Sequence, residues 1–396
     1  MRILFVCGHY YPDNFLINDI CEELVKKGHE VSVLTGLPSY ANGNIPKEYK
    51  SFKKRDEVIR GAKVHRVIVT KRGNNKLLRA INYFSFYLNS SIYALFNKFD
   101  TDVIFAYQLA PILMVNASII IKNKTKKSLF LYCLDPWPDQ LKVWNVKEDN
   151  ILYKLIHKYS KYAYSKADLI GVSSPSFKDY LINTNCISED KIIYLPQHAN
   201  KLEISTVNKD ECIDIVYGGS IGLQQNLTCL IKAIPLINST NKYHFHILGD
   251  GTELGNCKKL SEELNINEYI SFYGRVDKEE LSKVYSKADA FFLSLASSSS
   301  IGFSANTIPA RLQGYLSIGK PIIASIDGDT SKIIKENNLG LVSKAEDEKT
   351  LANILSEFIN SKNKYDICGK NAYNYYLENY QKDIVIKKIE NILKNL

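Results

Sequence analysis

At 396 residues the chain is too long for one hydrophobic core of ordinary size, so two domains are the natural expectation. Its 45% hydrophobic and 23% charged residues exclude a disordered or fibrous protein. The net charge of +9 is local: eleven Lys/Arg against only Asp56 and Glu57 lie within Lys50–Arg79, which carries the whole imbalance.

In chain order, short β-branched runs alternate with amphipathic stretches. The opening residues reach an aspartate by position 13 and lack the long apolar core of a signal peptide, so Ile3–Val6 reads as a first strand of a cytoplasmic chain. Strands are predicted at Val31–Leu34, Val64–Val69, Val103–Phe105, Leu129–Leu134, Leu169–Val172 and Ile192–Tyr194. Helices are predicted at Asn18–Lys27, Leu77–Asn97, Leu152–Lys166 and Phe177–Ile182. After a linker at Leu195–Asp210 the pattern repeats, with strands at Ile213–Tyr217, Tyr243–Leu248, Ile270–Tyr273, Ala290–Leu293, Pro321–Ala324 and Leu341–Val342. The second set of helices falls at Thr228–Ile237, Glu253–Leu264, Lys278–Ser286 and Pro309–Ser317. Strands joined by crossover helices imply parallel sheets covered on both faces, hence two Rossmann-like α/β domains with ligands at the carboxyl ends of the strands. These are placed at residues 1–200 and 211–380; a last helix within 381–396 serves no strand and is free to pack back on the first domain.

The basic segment runs into Ala80–Asn97, uncharged and aromatic; from Leu77 onward, Leu77, Ile81, Phe84, Leu88, Ile92 and Leu95 recur at helical spacing. Two readings are open: an interfacial membrane helix beside a basic stretch, or a core helix beside a solvated loop. No transmembrane helix is predicted, because Gln108, Pro111 and Asn116 split Val103–Ile121 into a strand, a turn and a buried helix. The eight cysteines form no CxxC pair and no Cys/His cluster, which argues against a zinc module or a disulfide framework.

Loops that follow strands are where this architecture binds ligands. Gly8, ahead of Tyr11, Asp13 and Asn14, allows close approach of a ligand to the backbone; a plain tight turn fits equally well. The run Gly218-Gly219-Ser220-Ile221-Gly222-Leu223-Gln224-Gln225-Asn226 joins a strand to a helix and makes a better phosphate cradle, although it is neither GxGxxG nor a Walker loop. Asp135, the first residue past Leu134, is a candidate general base stiffened by Pro136-Trp137-Pro138, or else a cap. His198 sits in the hinge, where a lone histidine is usually structural. Asn306–Pro321 opens a helix with Pro309 near its first turn and Arg311 beside it, so free N–H groups and a guanidinium together would hold a diphosphate. Arg275 is a second cation.

Along almost the whole chain these pieces resemble the family 4 retaining glycosyltransferases of the GT-B fold. They are Arg2-Ile-Leu-Phe-Val with Tyr10-Tyr-Pro12, Lys27-Gly-His-Glu-Val-Ser-Val-Leu-Thr-Gly36, Gly219-Ser-Ile-Gly222, Leu248-Gly-Asp-Gly251, Gly274-Arg-Val276 and Gly319-Lys-Pro321. Gly36-Leu-Pro-Ser-Tyr40 and Leu134-Asp-Pro-Trp-Pro-Asp-Gln140 resemble the branch that builds bacterial O-antigen and capsule units, N-acetyl-L-fucosamine transferases among them. The resemblance implies two Rossmann-like parallel-sheet domains facing each other across a cleft. The second would bind a UDP-sugar and the first a polyprenyl-diphosphate-linked saccharide acceptor. The implied donor contacts are Gly219, Ser220, Gly222, Gln225, Gly249, Arg275, Val276, Asn306, Thr307, Ile308, Pro309, Arg311 and Gln313. Asp135 is the implied catalytic base, and Gly8, Tyr11, Asp13, Asn14 and His198 lie on the acceptor side.

Two departures stand out. The family's paired glutamates fall here on Asn306 and Gly314, so the resemblance does not carry over the ribose contact, and the neighbouring Gln313 is a candidate substitute for it. The lysine expected after the Gly219 loop is replaced by Gln224 and Gln225, leaving Arg275, Arg311 and the helix start near Thr307 for the diphosphate. No cofactor, metal or nucleic acid is expected, and the enzyme is expected in the cytoplasm, peripheral at the inner membrane face through residues 50–97. A sugar-nucleotide epimerase of the same fold and a catalytically silent partner subunit are the alternatives.

Overall fold

The computed structural model describes residues 1–40, 43–51, 53–73, 75–144, 146–204 and 211–396; the last six residues of the expected linker, 205–210, lie outside them. The chain divides into two compact units, Met1–Gln197 with Val385–Leu396, and His198–Ile384. The division falls three residues before the expected end of the first domain, and the last twelve residues belong to the first unit.

The first unit holds an eight-stranded sheet: β1 (Arg2–Cys7), β2 (Glu30–Gly36), β3 (Asp56–Ile59), β4 (Ala62–Val67), β5 (Val103–Gln108), β6 (Ser128–Cys133), β7 (Leu169–Val172) and β8 (Ile192–Tyr194). Their order is β3-β4-β2-β1-β5-β6-β7-β8, and every pairing is parallel except β3 with β4. The central strands β1, β5 and β6 are apolar over most of their length because both faces are covered. Strand β3 was not expected. It lies inside the basic segment and pairs with β4 through Arg60-Gly61, both at positive φ (51° and 84°), the conformation of a two-residue hairpin loop. This folding removes Arg66 from the basic surface: its side chain is fully buried, with Nε donating to Glu57 at 2.9 Å and Nη2 to the Tyr11 carbonyl at 2.6 Å.

The helix Lys76–Phe96 starts where Asn75 accepts from the Leu78 N–H at 2.8 Å. Its apolar stripe faces outward: Leu77, Ile81, Phe84, Leu88, Ile92 and Leu95 are 68, 43, 55, 45, 44 and 54% exposed. The inward face is polar. Asn82 donates to the Thr70 carbonyl, Ser85 accepts from the Thr70 N–H at 3.0 Å, Asn89 donates to the Ile68 carbonyl at 2.8 Å, and Ser91 accepts from Asn116 at 2.8 Å. Among the described residues no helix is long and apolar enough to cross a membrane. The last helix, Lys382–Lys394, adds Val385, Ile386, Ile389 and Leu393 to the core that contains Ile17 and Leu24, and Glu390 pairs with His29 at 3.1 Å.

The second unit holds six parallel strands: β9 (Ile213–Gly218), β10 (Tyr243–Leu248), β11 (Ile270–Gly274), β12 (Ala290–Ser294), β13 (Ile322–Ser325) and β14 (Gly340–Ser343). Their order, β11-β10-β9-β12-β13-β14, is that of a dinucleotide-binding sheet, which reverses direction between β9 and β12. The corresponding reversal in the first unit lies between β1 and β5. Ligands of such sheets bind beyond the carboxyl ends of the strands at that point.

Candidate active site

Three loops at the carboxyl ends of β9, β10 and β11 are laced together by their backbones. Gly219 N–H donates to the Leu248 carbonyl at 2.9 Å, Gly249 N–H to Gly274 at 2.7 Å, and Ile221 N–H to Asp250 at 3.0 Å. The lacing needs glycine at 249: φ is +138°, and a Cβ there would lie 1.8 Å from the Gly219 carbonyl oxygen. Gly249→Ala is therefore expected to destabilise the fold by roughly 1–3 kcal/mol and to displace the Gly219 loop; thermal unfolding measures the first effect and UDP titration the second. Tyr315 fixes the start of that loop, its hydroxyl accepting from Gly218 N–H at 2.7 Å and donating to the Gly218 carbonyl at 2.9 Å.

Arg311 lies over this loop. A Cβ on Gly219 would stand 3.2 Å from its Cζ, the guanidinium is 4.9 Å above the Tyr217 ring, Nη1 donates to the Tyr217 hydroxyl, and Nη2 is 3.5 Å from Ser220 Oγ. Arg311 makes no ion pair with a carboxylate among the described residues, so its charge is available to an anion. Arg275 is exposed at the end of β11, and Val276 packs partly into the core. Gln225 closes the loop on itself, accepting from Gly222 N–H at 3.1 Å and, through its carbonyl, from Ser294 Oγ at 2.5 Å. The Gln224 carbonyl accepts from Ala296 N–H at 2.8 Å, which joins the loops after β9 and β12 across the reversal point.

The Asn306–Pro309 frame differs from expectation. The following helix is short, Ala310–Leu316, and Thr307 lies outside it with its carbonyl accepting from Thr330 at 3.4 Å. Thr307 thus lies two residues before Pro309, the residue that caps this helix. Ile308 is a core residue, 4% exposed, and Asn306 packs against Gly328. Gln313 does not take over from the missing glutamate: it is 2% exposed, and its Oε1 is buried without a hydrogen-bond partner. At Gly314 itself, an added Cβ would meet Leu202 Cδ1 at 3.3 Å. Two Asp-x-Asp spacings occur, Asp100/Asp102 and Asp327/Asp329. The first pair is held by Arg2, and among the described residues no three His, Cys, Asp or Glu side chains gather as metal ligands.

In the first unit Asp135 is separated from the end of β6 by Leu134 alone. Its backbone carbonyl accepts from Gln108 Nε2 at 2.7 Å, while Tyr164 and Tyr180 hydroxyls accept the N–H groups of Trp137 and Asp139, both at 3.1 Å. The Asp135 carboxylate accepts no hydrogen bond among the described residues, and burial pushes its pKa up to about 6. Gly8 packs on Met114, and the Tyr11 hydroxyl turns to Glu22 at 3.4 Å. Asp13 is 5% exposed and holds the loop after β2, accepting from Ser39 and Tyr40 N–H at 3.3 and 3.2 Å. Asn14 is exposed. His198, expected on the acceptor side, belongs to the second unit and is 1% exposed. Tyr217, Tyr315 and Tyr164, which position the candidate groups, carry no signal in the sequence beyond being aromatic.

The family described as "Glycosyltransferase Family 4" matches residues 15–197, and that described as "Glycosyl transferases group 1" matches residues 200–375. The chain carries both domains of a glycosyltransferase. It is 23% identical over 237 residues to the probable glycosyltransferase WbjE of Pseudomonas aeruginosa, covering 56% of this chain and 58% of that protein. The chain spans about three-fifths of the length of the first curated relatives that it matches. Among solved structures, sucrose-phosphate synthase from Thermosynechococcus elongatus superposes with a TM-score of 0.75 at 15% identity, covering 100% of this chain and 98% of the other. Anabaena Alr3699/HepE, in complex with UDP and glucose, superposes with a TM-score of 0.70 at 12% identity and full coverage of both. At these identities the likeness establishes the GT-B fold of the glycosyltransferase chain.

Proposed function

We propose that the chain is a retaining glycosyltransferase that moves a sugar from a UDP-sugar to a lipid-linked oligosaccharide in bacterial surface polysaccharide synthesis. The carrying observation is Arg311, a guanidinium without a carboxylate partner among the described residues, fixed over a glycine loop at the reversal point of the second sheet. The bond between the anomeric carbon and UDP breaks, its electron pair leaves with the diphosphate, and Arg311 and Arg275 stabilise that charge. The acceptor oxygen bonds the same carbon on the same face, and its proton passes to Asp135 or to the departing phosphate. UDP, bound by the folded chain alone, should raise the melting temperature, with a stabilisation that grows as the logarithm of one plus its concentration over its dissociation constant. Failure of UDP and every UDP-sugar to do so would overturn the reading.

Peripheral membrane contact through residues 50–97 belongs to the same proposal, supported by the outward apolar stripe of Lys76–Phe96 and the absence of any acidic residue in that helix. Phe84→Asp with Leu88→Asp should remove about 3 kcal/mol or more of interfacial burial, a hundredfold loss of affinity for anionic vesicles, with little change in thermal stability. Vesicle flotation measures this, and wild-type binding should weaken as salt rises.

A further inference from the structure

Away from the candidate active site, the helix Ile151–Ser165 carries a second apolar stripe that the core leaves bare. Asn150 opens it, its side chain accepting from the Leu152 N–H at 2.8 Å. Tyr153, Ser160, Ala163 and Tyr164 form the buried face. Ile151, Leu155 and Tyr162 recur at four- and seven-residue spacing on the opposite face, 76, 60 and 44% exposed, and Leu152 beside them is 48% exposed. Lys154, Lys158 and Lys161 follow one edge of this stripe at the same helical spacing, and none makes an ion pair among the described residues. Just past the helix, Lys166 lies 5.2 Å from the Tyr162 ring centre. The helix contains no acidic residue.

This helix is tied to Lys76–Phe96 through Asn116, which donates from Nδ2 to Ser91 Oγ at 2.8 Å and accepts at Oδ1 from the Tyr159 hydroxyl at 3.1 Å. Both helices also pack on the turn Ile112–Val115. They therefore lie side by side on one surface of the first unit, each with aliphatic residues turned to solvent and neither with an Asp or Glu. A second copy of the chain meeting this surface through its own would set lysine against lysine with no carboxylate from either helix to offset them. An anionic lipid surface matches every part of it. Leucine and isoleucine enter the apolar boundary, tyrosine sits at headgroup level, and lysines reach the phosphates. A single helix lying in an interface leaves the molecule free to roll about the helix axis, whereas a second one beside it fixes a plane.

We propose that Ile151–Ser165 is a second membrane-docking helix, with Lys154, Lys158 and Lys161 on anionic phospholipid headgroups and Ile151, Leu152 and Leu155 in the apolar boundary beneath them. The proposal rests on the peripheral membrane contact proposed for residues 50–97. The test is flotation of the full chain with phosphatidylcholine vesicles, with and without phosphatidylglycerol, a melting curve confirming that each variant is folded. Ile151→Asp with Leu155→Asp should weaken binding to the anionic vesicles about tenfold or more. Lys154→Gln with Lys158→Gln and Lys161→Gln should weaken it about tenfold to a hundredfold at low salt, and much less at high salt, where the lysines are already screened. If Phe84→Asp with Leu88→Asp releases the chain from anionic vesicles while both new variants float like the wild type, this helix does not touch the membrane and the contact through residues 50–97 stands. If the wild type does not float with anionic vesicles at low salt, both contacts fall together. A wild type that sediments as a dimer without lipid, and as a monomer once Ile151 and Leu155 are replaced, would give the surface to a second copy and overturn the proposal.

Discussion

Replacing Asp135 by asparagine is expected to slow sugar transfer by about a hundredfold or more while UDP-sugar affinity stays near wild type. Asparagine keeps the shape and removes the basicity, so only the step that uses the carboxylate suffers. Because burial lifts this group from 3.8 to about 6, the basic form is the majority species only above that pH. Wild-type transfer should therefore rise as pH passes through about 6 and level off above it. Stability runs the other way. A carboxyl whose folded pKa exceeds its unfolded value binds its proton more tightly in the folded state, so stability falls as pH rises from 3.8 to about 6. Asparagine, always neutral, should thus stabilise the fold at pH 7 by roughly 1–3 kcal/mol, discounted for partial exposure, and leave it unchanged near pH 4. A carboxylate that merely capped a turn would give the opposite: a lower melting temperature with near-normal transfer.

Arg311→Ala is expected to raise the dissociation constant of UDP about tenfold to a hundredfold, the loss of a charge-assisted contact worth about 1.5–3 kcal/mol. Arg311→Lys keeps the charge but loses the fork that spans Tyr217 and Ser220, so it should fall between alanine and wild type. Calorimetry with UDP reads both variants, and a melting curve checks that Tyr217, which loses its stacked partner, remains folded in place. Unchanged UDP affinity in a folded Arg311→Ala protein would remove Arg311 from the site.

What the sequence made legible follows from where the physics is local. Continuous apolar runs such as Val103–Tyr107 and Leu129–Cys133 announce buried strands because both faces of a parallel sheet are covered. Strand β3 escaped notice because Asp56-Glu57-Val58-Ile59 is a short, charged edge, betrayed only by the Arg60-Gly61 turn. The helix Asp366–Asn379 was also missed, its buried positions being Cys368, Gly369, Ala372 and Tyr376 rather than aliphatic residues. The periodicity of Lys76–Phe96 revealed a face but not its direction. That was decided by Asn82, Ser85 and Asn89 reaching the backbone of residues 68–70, which turns the leucines outward. At the site, the glycines were visible as motifs. The pairing of Arg311 with Tyr217 and of Tyr315 with Gly218 was not, because the partners lie 94 and 97 residues apart. Gln313 shows the limit of reasoning by neighbouring position: one residue along a helix rotates a side chain by about 100°, here into the core.

The central claim, that the second unit holds a UDP-sugar for transfer, is tested most directly by incubating the purified chain with a panel of UDP-sugars and following the products by NMR. One UDP-sugar should be slowly hydrolysed to UDP and free sugar, released first as the anomer that the donor carried, and Arg311→Ala should slow this reaction. Conversion to a different UDP-sugar without UDP release, or no reaction with any UDP-sugar alongside no UDP binding, would contradict it.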